Sequence, residues 1–348
     1  MKVAFYAMLK NEQSIAPAFS EMLNEFADYI YLVDHESTDD TFNIIKNKTR
    51  KAKIYKLTSN RYPQSELSNF FARLIFAETD ADFLFFLDAD EFISFNTKQD
   101  LHTFLVSNAD FHAIQVPWNN LSLKGDSFDG GFTSMGPSKN YSKIILSRSI
   151  RNISDYKISQ GNHSIVSNRC SLRINNQKDV HLFHIPILSY TNLLIKLLNG
   201  IRSLENDATN KILNNGYHWY DIAKRVTTET LSQDQLNDII YHYSDSIPEA
   251  TKVEDLDFNF PYIKTRTLPA MCIDNLLLSY LADIVDTNSK NASPKNIDIM
   301  IRNDKDEVIY LKNRKVVAVF LRVIYYRLKL ILPQPIKRLA RKLVGQRC

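Results

Sequence analysis

The chain has 348 residues, of which 44% are hydrophobic and 24% charged, which suits one large or two modest soluble domains and excludes a fibrous or disordered protein. Its three cysteines, Cys170, Cys272 and Cys348, fit neither a disulfide framework nor a thiolate metal cluster, and so indicate a reducing compartment. We find no clean membrane span and no cleavage pattern after the apolar first strand, and therefore expect a cytoplasmic protein.

The formal net charge of +4 is divided unevenly along the chain. Residues 311–348 hold 11 Lys or Arg and no Asp or Glu, whereas the preceding residues hold 32 basic and 39 acidic side chains, a net charge of −7. This asymmetry predicts an anionic surface as the partner of the basic tail. Nucleic acid is not expected, because the body is acidic and no recognition motif accompanies the basic segment.

The first hundred residues alternate between strand and helix patterns. Strands are predicted at 2–8, 29–33, 53–57 and 83–87, and helices at about 14–26, 41–50 and from 65 onward, with Ser14 and Ser65 as caps. Repeated strand–helix units of this length predict an α/β fold with a doubly wound, mostly parallel sheet.

The most informative stretch is the fourth predicted strand, Phe83–Leu87, which leads directly into Asp88-Ala89-Asp90-Glu91. Open α/β sheets bind their ligands at the carboxyl ends of the strands. Burying carboxylates there is costly unless a cation or strong donors compensate. The stretch therefore predicts a divalent-metal and phosphate site, with a solvated acidic turn as the alternative. Glu91 could be a supporting acceptor or a solvated neighbour.

After Asp90 the pattern becomes that of a mixed sheet, with strands at 113–116, 143–146 and 181–185. Between the first two of these, residues 117–140 are predicted to form a long loop that contains Trp118, Asp126 and Asp129. Long loops in compact domains are usually binding elements or lids. Helix signals dominate from 191 to about 243, including a capping box at Ser232 and Gln235, and residues 244–303 suggest no role.

The basic tail contains an apolar segment at 316–332 and, after two prolines, an amphipathic segment at 336–343. The second segment places basic side chains on one helical face and apolar ones on the other, as in a helix that lies in the headgroup region of an anionic membrane. Packing of this helix on the body or on a second subunit is the alternative.

With these residues in place, the first 95 positions resemble glycosyltransferase family two, the nucleotide-diphosphosugar transferases, in the subgroup with an Asp-x-Asp-Glu-Phe motif. The matching segments are Lys10-Asn11-Glu12, Val33-Asp34-His35-Glu36-Ser37-Thr38-Asp39, Ala72-Arg73 and Leu87-Asp88-Ala89-Asp90-Glu91-Phe92. The resemblance extends more loosely to about residue 200 through Trp118, Gly161-Asn162-His163 and His184-x-Pro186.

The resemblance implies a GT-A type fold and inverting transfer of a sugar from a nucleoside diphosphate donor. It implies that the donor nucleotide contacts Asn11, Glu12, Asp34, Arg73 and Asp88. It also implies that Asp88, Asp90 and His184 hold Mn²⁺ or Mg²⁺, hard cations that prefer oxygen ligands. For Asp34–Asp40, capping of the following helix is the alternative reading.

An inverting transferase also needs a base that deprotonates the acceptor hydroxyl. The chain lacks the downstream Glu-Asp pair common in the family, so the candidates are Asp126, Asp129, Asp155 and His163, of which we select His163 and Asp129. Leu188 stands where relatives often carry Arg, which leaves the acceptor side open.

These inferences divide the chain into a nucleotide-sugar-binding half (1–115), an acceptor-side mixed sheet and loop (116–190), a helical region (191–310) and the basic amphipathic tail (311–348). We expect a hexosyltransferase-type enzyme, peripheral on the inner membrane face, that acts on a glycan or lipid-linked acceptor in surface polysaccharide synthesis. The alternatives are a nucleotidyltransferase and a non-catalytic nucleotide-sugar-binding or membrane-scaffold protein.

Overall fold

The computed structural model describes residues 1–59, 62–123, 132–188 and 190–205, short pieces at 222–226, 235 and 238–239, and residues 299–305 and 307–312. The predicted alternation of strands and helices in the first part is confirmed. The strands are β1 (Val3–Leu9), β2 (Tyr29–Asp34), β3 (Ala52–Thr58) and β4 (Phe83–Leu87), and the helices are α1 (Ala16–Phe26), α2 (Thr41–Lys48) and α3 (Gln64–Glu78).

These four strands form a parallel sheet in the order β3-β2-β1-β4. In this register Leu9 of β1 pairs with Asp34 of β2, and Ala7 of β1 pairs with Leu87 of β4. The carboxyl ends of three neighbouring strands therefore lie side by side, and the segments that follow them share one edge.

Helices cover both faces of this parallel sheet. Phe5 of β1 faces the side of α1 and α2 and stacks on Phe85 at 4.7 Å, whereas its neighbour Tyr6 faces α3 and stacks on Phe71 at 4.9 Å. Burial on both faces explains why β1 and β4 are continuous apolar runs rather than alternating ones. The doubly wound arrangement is thus confirmed.

The second half of the sheet is mixed. It comprises β5 (Glu91–Ile93), α4 (Lys98–Val106), β6 (Ala113–Leu123), β7 (Phe132–Ser147), β8 (Lys157–Ile158), β9 (Ile165–Val166), β10 (Ile174–Asn176), β11 (Leu182–His184) and α5 (Tyr190–Glu205). From β4 the sheet continues in the order β7-β6-β11-β5, with β7 antiparallel to β4 and β11 parallel to β6. Of the remaining strands, β10 pairs with β6, and β8 with β9.

The predicted loop at 117–140 is wrong in its extent, since β6 continues to Leu123 and β7 begins at Phe132. The pairing of these strands shifts register between Pro117 and Asn119 and again between Asn120 and Leu121. Proline is tolerated at such an irregularity, where a ladder hydrogen bond is already missing. Asp126 and Asp129 lie outside the described residues.

Two further strands, β12 (Ile299–Arg302) and β13 (Val308–Lys312), extend the sheet beyond β3. They were not anticipated for the region assigned as helical at 191–310, although α5 agrees with that assignment. The capping box at Ser232, most of 244–303 and the tail beyond 312 lie outside the described residues. In the part of the chain that the structure describes, no helix has the length and apolarity to cross a membrane.

The predicted caps Ser14 and Ser65 are both wrong. Helix α1 begins after Ile15 and α3 after Pro63, in each case without a side-chain cap. The Ser65 hydroxyl instead donates to the carbonyl of Ile158 at 2.6 Å, because the β8–β9 pair packs on the start of α3.

Candidate active site

The loops that follow β1 and β2 are joined to each other at the carboxyl edge of the sheet. Asn11 has a positive φ of 56°, its backbone N–H donates to Ser37 Oγ at 3.1 Å, and its Oδ1 accepts from the N–H of Thr38 at 2.8 Å. This geometry holds the two loops together, as expected if they form one side of a nucleotide site.

Asp34, at the end of β2, has one satisfied and one orphaned carboxylate oxygen. Its Oδ2 accepts from the N–H of Ser37 at 3.3 Å, whereas the buried Oδ1 has no hydrogen-bond partner, and burial raises the pKa of the carboxyl group. Asp39, and not Asp34, accepts from the N–H of Thr41 at the start of α2, at 3.0 Å. A buried acceptor without a partner is costly in the free protein, which favours a ligand contact at Asp34 over helix capping.

Asp88 and Glu91 share one buried cation, the ammonium of Lys143 on β7. Lys143 Nζ lies 2.6 Å from Asp88 Oδ2 and 3.1 Å from Glu91 Oε1. Neither Lys143 nor Glu91 is exposed to solvent, so the reading of Glu91 as a solvated neighbour is wrong. The two carboxylates raise the pKa of Lys143 despite its burial, which keeps the lysine charged.

Asp90 is buried between the end of β11 and helix α5. Its backbone carbonyl accepts from the N–H of Ile185 at 2.9 Å, and its Oδ2 accepts from Lys196 Nζ. The same Oδ2 lies 3.9 Å from His184 Nε2. Lys196, His184 and Lys143 together lower the pKa of Asp90 against the opposing effect of its burial.

His184 is placed by the register of three strands, since it pairs with Glu91 on β5 and with Asn120 on β6. Its Nδ1 lies 2.8 Å from Asn120 Oδ1, and its ring stacks on Trp118 at 4.2 Å. Burial lowers the pKa of His184 to about 4, so the ring is neutral near pH 7. With Nδ1 donating to Asn120, Nε2 carries a lone pair on the side of Asp90.

These residues fit a divalent cation. Donor atoms of Asp90, Glu91 and His184 lie within 4.8 Å of one another, and all three residues are buried. Two carboxylates and a neutral imidazole suit Mn²⁺ or Mg²⁺, and an imidazole whose other nitrogen is engaged is the usual form of a histidine ligand. Asp88, predicted as a ligand together with Asp90 and His184, lies outside this triad, on Lys143. Lys196, which contacts Asp90, is the cation with which a metal ion would compete.

Glu12 faces the same cluster. Its backbone N–H donates to Thr41 Oγ1 at 2.7 Å. Burial, together with the charges of Asp90, Asp39 and Asp88, raises the pKa of its carboxyl group to about 8 against the opposing effect of Lys196. The predicted site residues Glu12, Asp88 and Asp90 therefore interact electrostatically with one another.

His163 is connected to Asp88 through Gln64 at the start of α3. Gln64 Nε2 donates to Asp88 Oδ1 at 2.8 Å, and Gln64 Oε1 accepts from the N–H of Gly161 at 2.9 Å. His163 donates from Nδ1 to the carbonyl of Ser142 at 2.8 Å and meets Trp118 edge-on at 5.2 Å. Burial and Lys143 lower the pKa of His163 to about 4. His163 and His184 thus both contact Trp118.

Two predicted site residues have other partners. Arg73 donates to the carbonyls of Asn69, Ser154 and Tyr156 at 3.1–3.3 Å, and it lies on α3 about 13 Å along the helix axis from Gln64. Asp155 accepts from the Ser167 hydroxyl and from the N–H groups of Asn168 and Arg169 at 2.8–2.9 Å. The structure does not bring either side chain to the acidic cluster.

Gln64, Lys143 and Lys196 were not predicted from the sequence as site residues. A signal was present for the two lysines, because Lys143 begins an otherwise apolar strand core and Lys196 interrupts the apolar pattern of α5. A charged residue in such a position is buried only when it is paired.

No protein-family model and no curated protein matches the chain. Among solved structures, S. aureus TarS is 15% identical with a TM-score of 0.36, over 88% of this chain and 60% of that one. A Pyrobaculum calidifontis mannosyltransferase, PcManGT, in complex with GDP-Man and Mn²⁺ is 12% identical with a TM-score of 0.35, over 84% and 76%. A glucosyl-3-phosphoglycerate synthase from Mycobacterium tuberculosis, in complex with Mn²⁺, UDP and glucosyl-3-phosphoglycerate, is 13% identical with a TM-score of 0.25, over 43% and 57%. The chain thus spans 60% of the length of TarS.

Proposed function

We propose that the chain is a metal-dependent, inverting glycosyltransferase of GT-A type that uses a nucleoside diphosphate sugar as donor. One observation carries the proposal: Asp34, Asp88, Asp90 and His184 gather at the carboxyl edge of parallel strands, with an orphaned acceptor at Asp34 and a metal-type donor set at Asp90. A nucleoside diphosphate uses both features, because its nucleoside can donate a hydrogen bond to a buried acceptor and its diphosphate binds a divalent cation.

In this proposal the donor lies across the ends of β2, β1 and β4. Asp34 and the Asn11–Glu12 loop hold the nucleoside. Gln64 and Lys143 position Asp88, which accepts a hydrogen bond from a ribose hydroxyl. Asp90, Glu91 and His184 hold Mn²⁺ or Mg²⁺, which when bound offsets the charge that develops on the departing diphosphate. Arg73 is assigned no contact with the donor, because its guanidinium is committed to backbone carbonyls.

For the acceptor side we propose His163 as the base, with Asp129 as the other candidate. His163 is neutral near pH 7 and can take a proton at Nε2, since Nδ1 already donates to Ser142. A base with so low a pKa is weak, so its contribution depends on its position beside Trp118 rather than on its basicity.

We further propose a glycan or lipid-linked acceptor in surface polysaccharide synthesis, with the basic tail holding the enzyme at the anionic inner face of the membrane. This proposal rests on the charge of residues 311–348. Because Leu311 and Lys312 belong to β13, a truncation should remove residues 313–348 only. The truncated protein should lose binding to phosphatidylserine vesicles and retain binding of donor, and unchanged vesicle binding contradicts the anchor.

The enzymatic proposal is tested by incubating the full chain with Mn²⁺ and a panel of UDP-, GDP-, CDP- and ADP-sugars. Release of a nucleoside diphosphate is expected from one donor, and Asp90→Asn should abolish it, whereas turnover equal to wild type in that variant rules out the metal assignment. In a parallel assay with nucleoside triphosphates and sugar 1-phosphates, release of inorganic diphosphate instead indicates a nucleotidyltransferase. Binding without any turnover indicates the non-catalytic alternative.

A further inference from the structure

Lys196 is a basic residue at the border of an apolar helix face. Helix α5 buries Leu193, Leu194 and Leu197 against the body, and the Lys196 side chain, only 14% exposed, turns from the edge of this face onto Asp90. Ordering a long charged side chain in such a place is favourable only if its partner compensates for the lost hydration. One such partner is the carboxylate oxygen Oδ2 of Asp90.

The backbone on both sides of this pair is held in place. Leu188, just before α5, donates its N–H to Asn192 Oδ1 at 3.2 Å, and Ile185 donates to the carbonyl of Asp90 at 2.9 Å. Together with the buried leucines of α5, these contacts fix the two Cα positions. The Lys196 side chain, with four rotatable bonds, is the part that can move.

Lys196 occupies the Asp90 oxygen that faces Nε2 of His184. Asp90 Oδ2 accepts from Lys196 and is also the atom that lies 3.9 Å from His184 Nε2, in the Asp90–Glu91–His184 triad. An ammonium and a divalent cation on one carboxylate oxygen repel each other strongly in a buried site. Binding of the metal therefore displaces the ammonium from Asp90.

Lys143 does not compete in this way. It is fully buried and lies between Asp88 and Glu91. It therefore remains paired with Asp88 when Glu91 binds a metal ion. Once displaced from Asp90, the Lys196 ammonium can contact another anion within the reach of its side chain. A metal-bound diphosphate supplies one at that place, and lysine binds phosphate well as a point charge.

We propose that Lys196 is an exchangeable cation, which occupies the metal position on Asp90 in the donor-free protein and binds the diphosphate when metal and donor enter. The inference rests on the proposed function for its second half, the diphosphate contact. Its first half, competition with the metal, is independent of what the donor is. For removal of the Lys196 charge, the first half predicts tighter binding of the metal and the second half predicts weaker binding of the nucleoside diphosphate.

The test compares wild type, Lys196→Met, Lys196→Arg and the control Lys53→Met, which removes the same charge from an exposed ion pair with Glu78. Binding of Mn²⁺ alone is titrated by the electron paramagnetic resonance signal of the free ion. Binding of UDP, GDP, CDP and ADP at saturating Mn²⁺ is measured by calorimetry. Melting in EDTA and in Mn²⁺ shows that each variant is folded, and Mn²⁺ should stabilise Lys196→Met more than wild type, because it refills the position next to Asp90.

Lys196→Met should bind Mn²⁺ more tightly than wild type and bind the preferred nucleoside diphosphate more weakly, by about tenfold or more for a lost charge-assisted contact. Lys196→Arg should be closer to wild type in both measurements, and Lys53→Met should equal wild type. Unchanged or weaker Mn²⁺ binding in Lys196→Met overturns the competition, and unchanged nucleotide binding overturns the diphosphate contact. If wild type binds none of the four nucleotides, the proposed function and the diphosphate contact both fail, whereas the Mn²⁺ titration still decides the competition.

Discussion

The Nδ1 atom of His184 lies 2.8 Å from Oδ1 of Asn120. The two residues are partners in the parallel pairing of β11 with β6, so the sheet register, rather than a flexible loop, sets the orientation of the imidazole. This contact keeps the proton on Nδ1 and leaves Nε2 for the Asp90 side of the site. The orientation of His184 in the candidate metal site therefore depends on an uncharged side chain that is distant from it in the sequence.

Replacing Asn120 should weaken metal binding without removing a ligand. We expect Asn120→Ala to lower the affinity for Mn²⁺ by about 10- to 100-fold, the usual cost of losing a residue that orients a histidine ligand. Asn119→Ala is the matched control, because its side chain accepts from Ser134 at 2.8 Å instead. Titration of free Mn²⁺ measures the metal affinity of both variants. Equal affinities would show that Asn120 does not orient His184.

Replacing Lys143 should destabilise the fold. Lys143→Met leaves Asp88 and Glu91 without their shared cation, and breaking a buried ion pair in this way costs roughly 3–5 kcal/mol. The free energy of unfolding in urea measures the loss. Adding Glu91→Gln to Lys143→Met should recover part of it, because one buried charge is then removed.

The control for this measurement is Lys53→Met, at an exposed pair whose side chains are 54% and 38% exposed. A surface pair of this kind contributes about 1 kcal/mol or less. A loss of stability in Lys143→Met no larger than that of the control would mean that Lys143 is not needed to hold the acidic residues.

The stability of the protein should fall in mild acid because of His35. This ring is buried, its Nε2 contacts the carbonyl of Ser59 at 3.0 Å, and burial together with Lys10 lowers its pKa from 6.5 to about 4. As the pH falls through 6.5, His35 becomes protonated in the unfolded chain but stays neutral in the folded protein. The contribution of His35 is therefore complete above pH 6.5, is lost between pH 6.5 and 4, and amounts to about 3 kcal/mol at most.

The measurement is urea unfolding of wild type and His35→Gln from pH 4 to pH 8. The variant should lose less stability over this range than wild type, because His163 and His184 titrate in both proteins and their effects cancel in the comparison. Parallel pH profiles would contradict the assignment to His35.

A side chain at Gly161 should destabilise the protein for two reasons, the backbone conformation and a clash with His163. Its φ is +77°, and a Cβ there would lie 2.2 Å from Nε2 of His163. We expect Gly161→Ala to lose about 1–2 kcal/mol of stability from the backbone conformation alone, and more from the clash. In the background of His163→Ala the added loss should shrink to the backbone cost. An equal loss in both backgrounds, measured by urea unfolding, would show that His163 does not pack on Gly161.

Much of the fold could be predicted because its signals are local. Phe83–Leu87 has the predicted bounds, since a short apolar run between acidic residues defines a buried strand by itself. The strands at 299–302 and 308–312 and the extension of β6 to Leu123 were missed, because they depend on pairing with distant strands and contain polar residues or proline. The caps failed for a similar reason, as packing of β8 on α3 determines what Ser65 binds.

The sequence by itself determined where the acids lie. Residues that follow parallel strands meet at one edge, so Asn11, Asp34 and Asp88 could be placed together from strand positions alone. Only the tertiary structure decided which cations meet them. Lys143 lies 55 residues from Asp88 and Lys196 lies 106 residues from Asp90, and no periodicity relates residues so far apart. Those pairings follow from strand order and from the packing of α5, because a buried charge must find its partner wherever the fold brings one within reach.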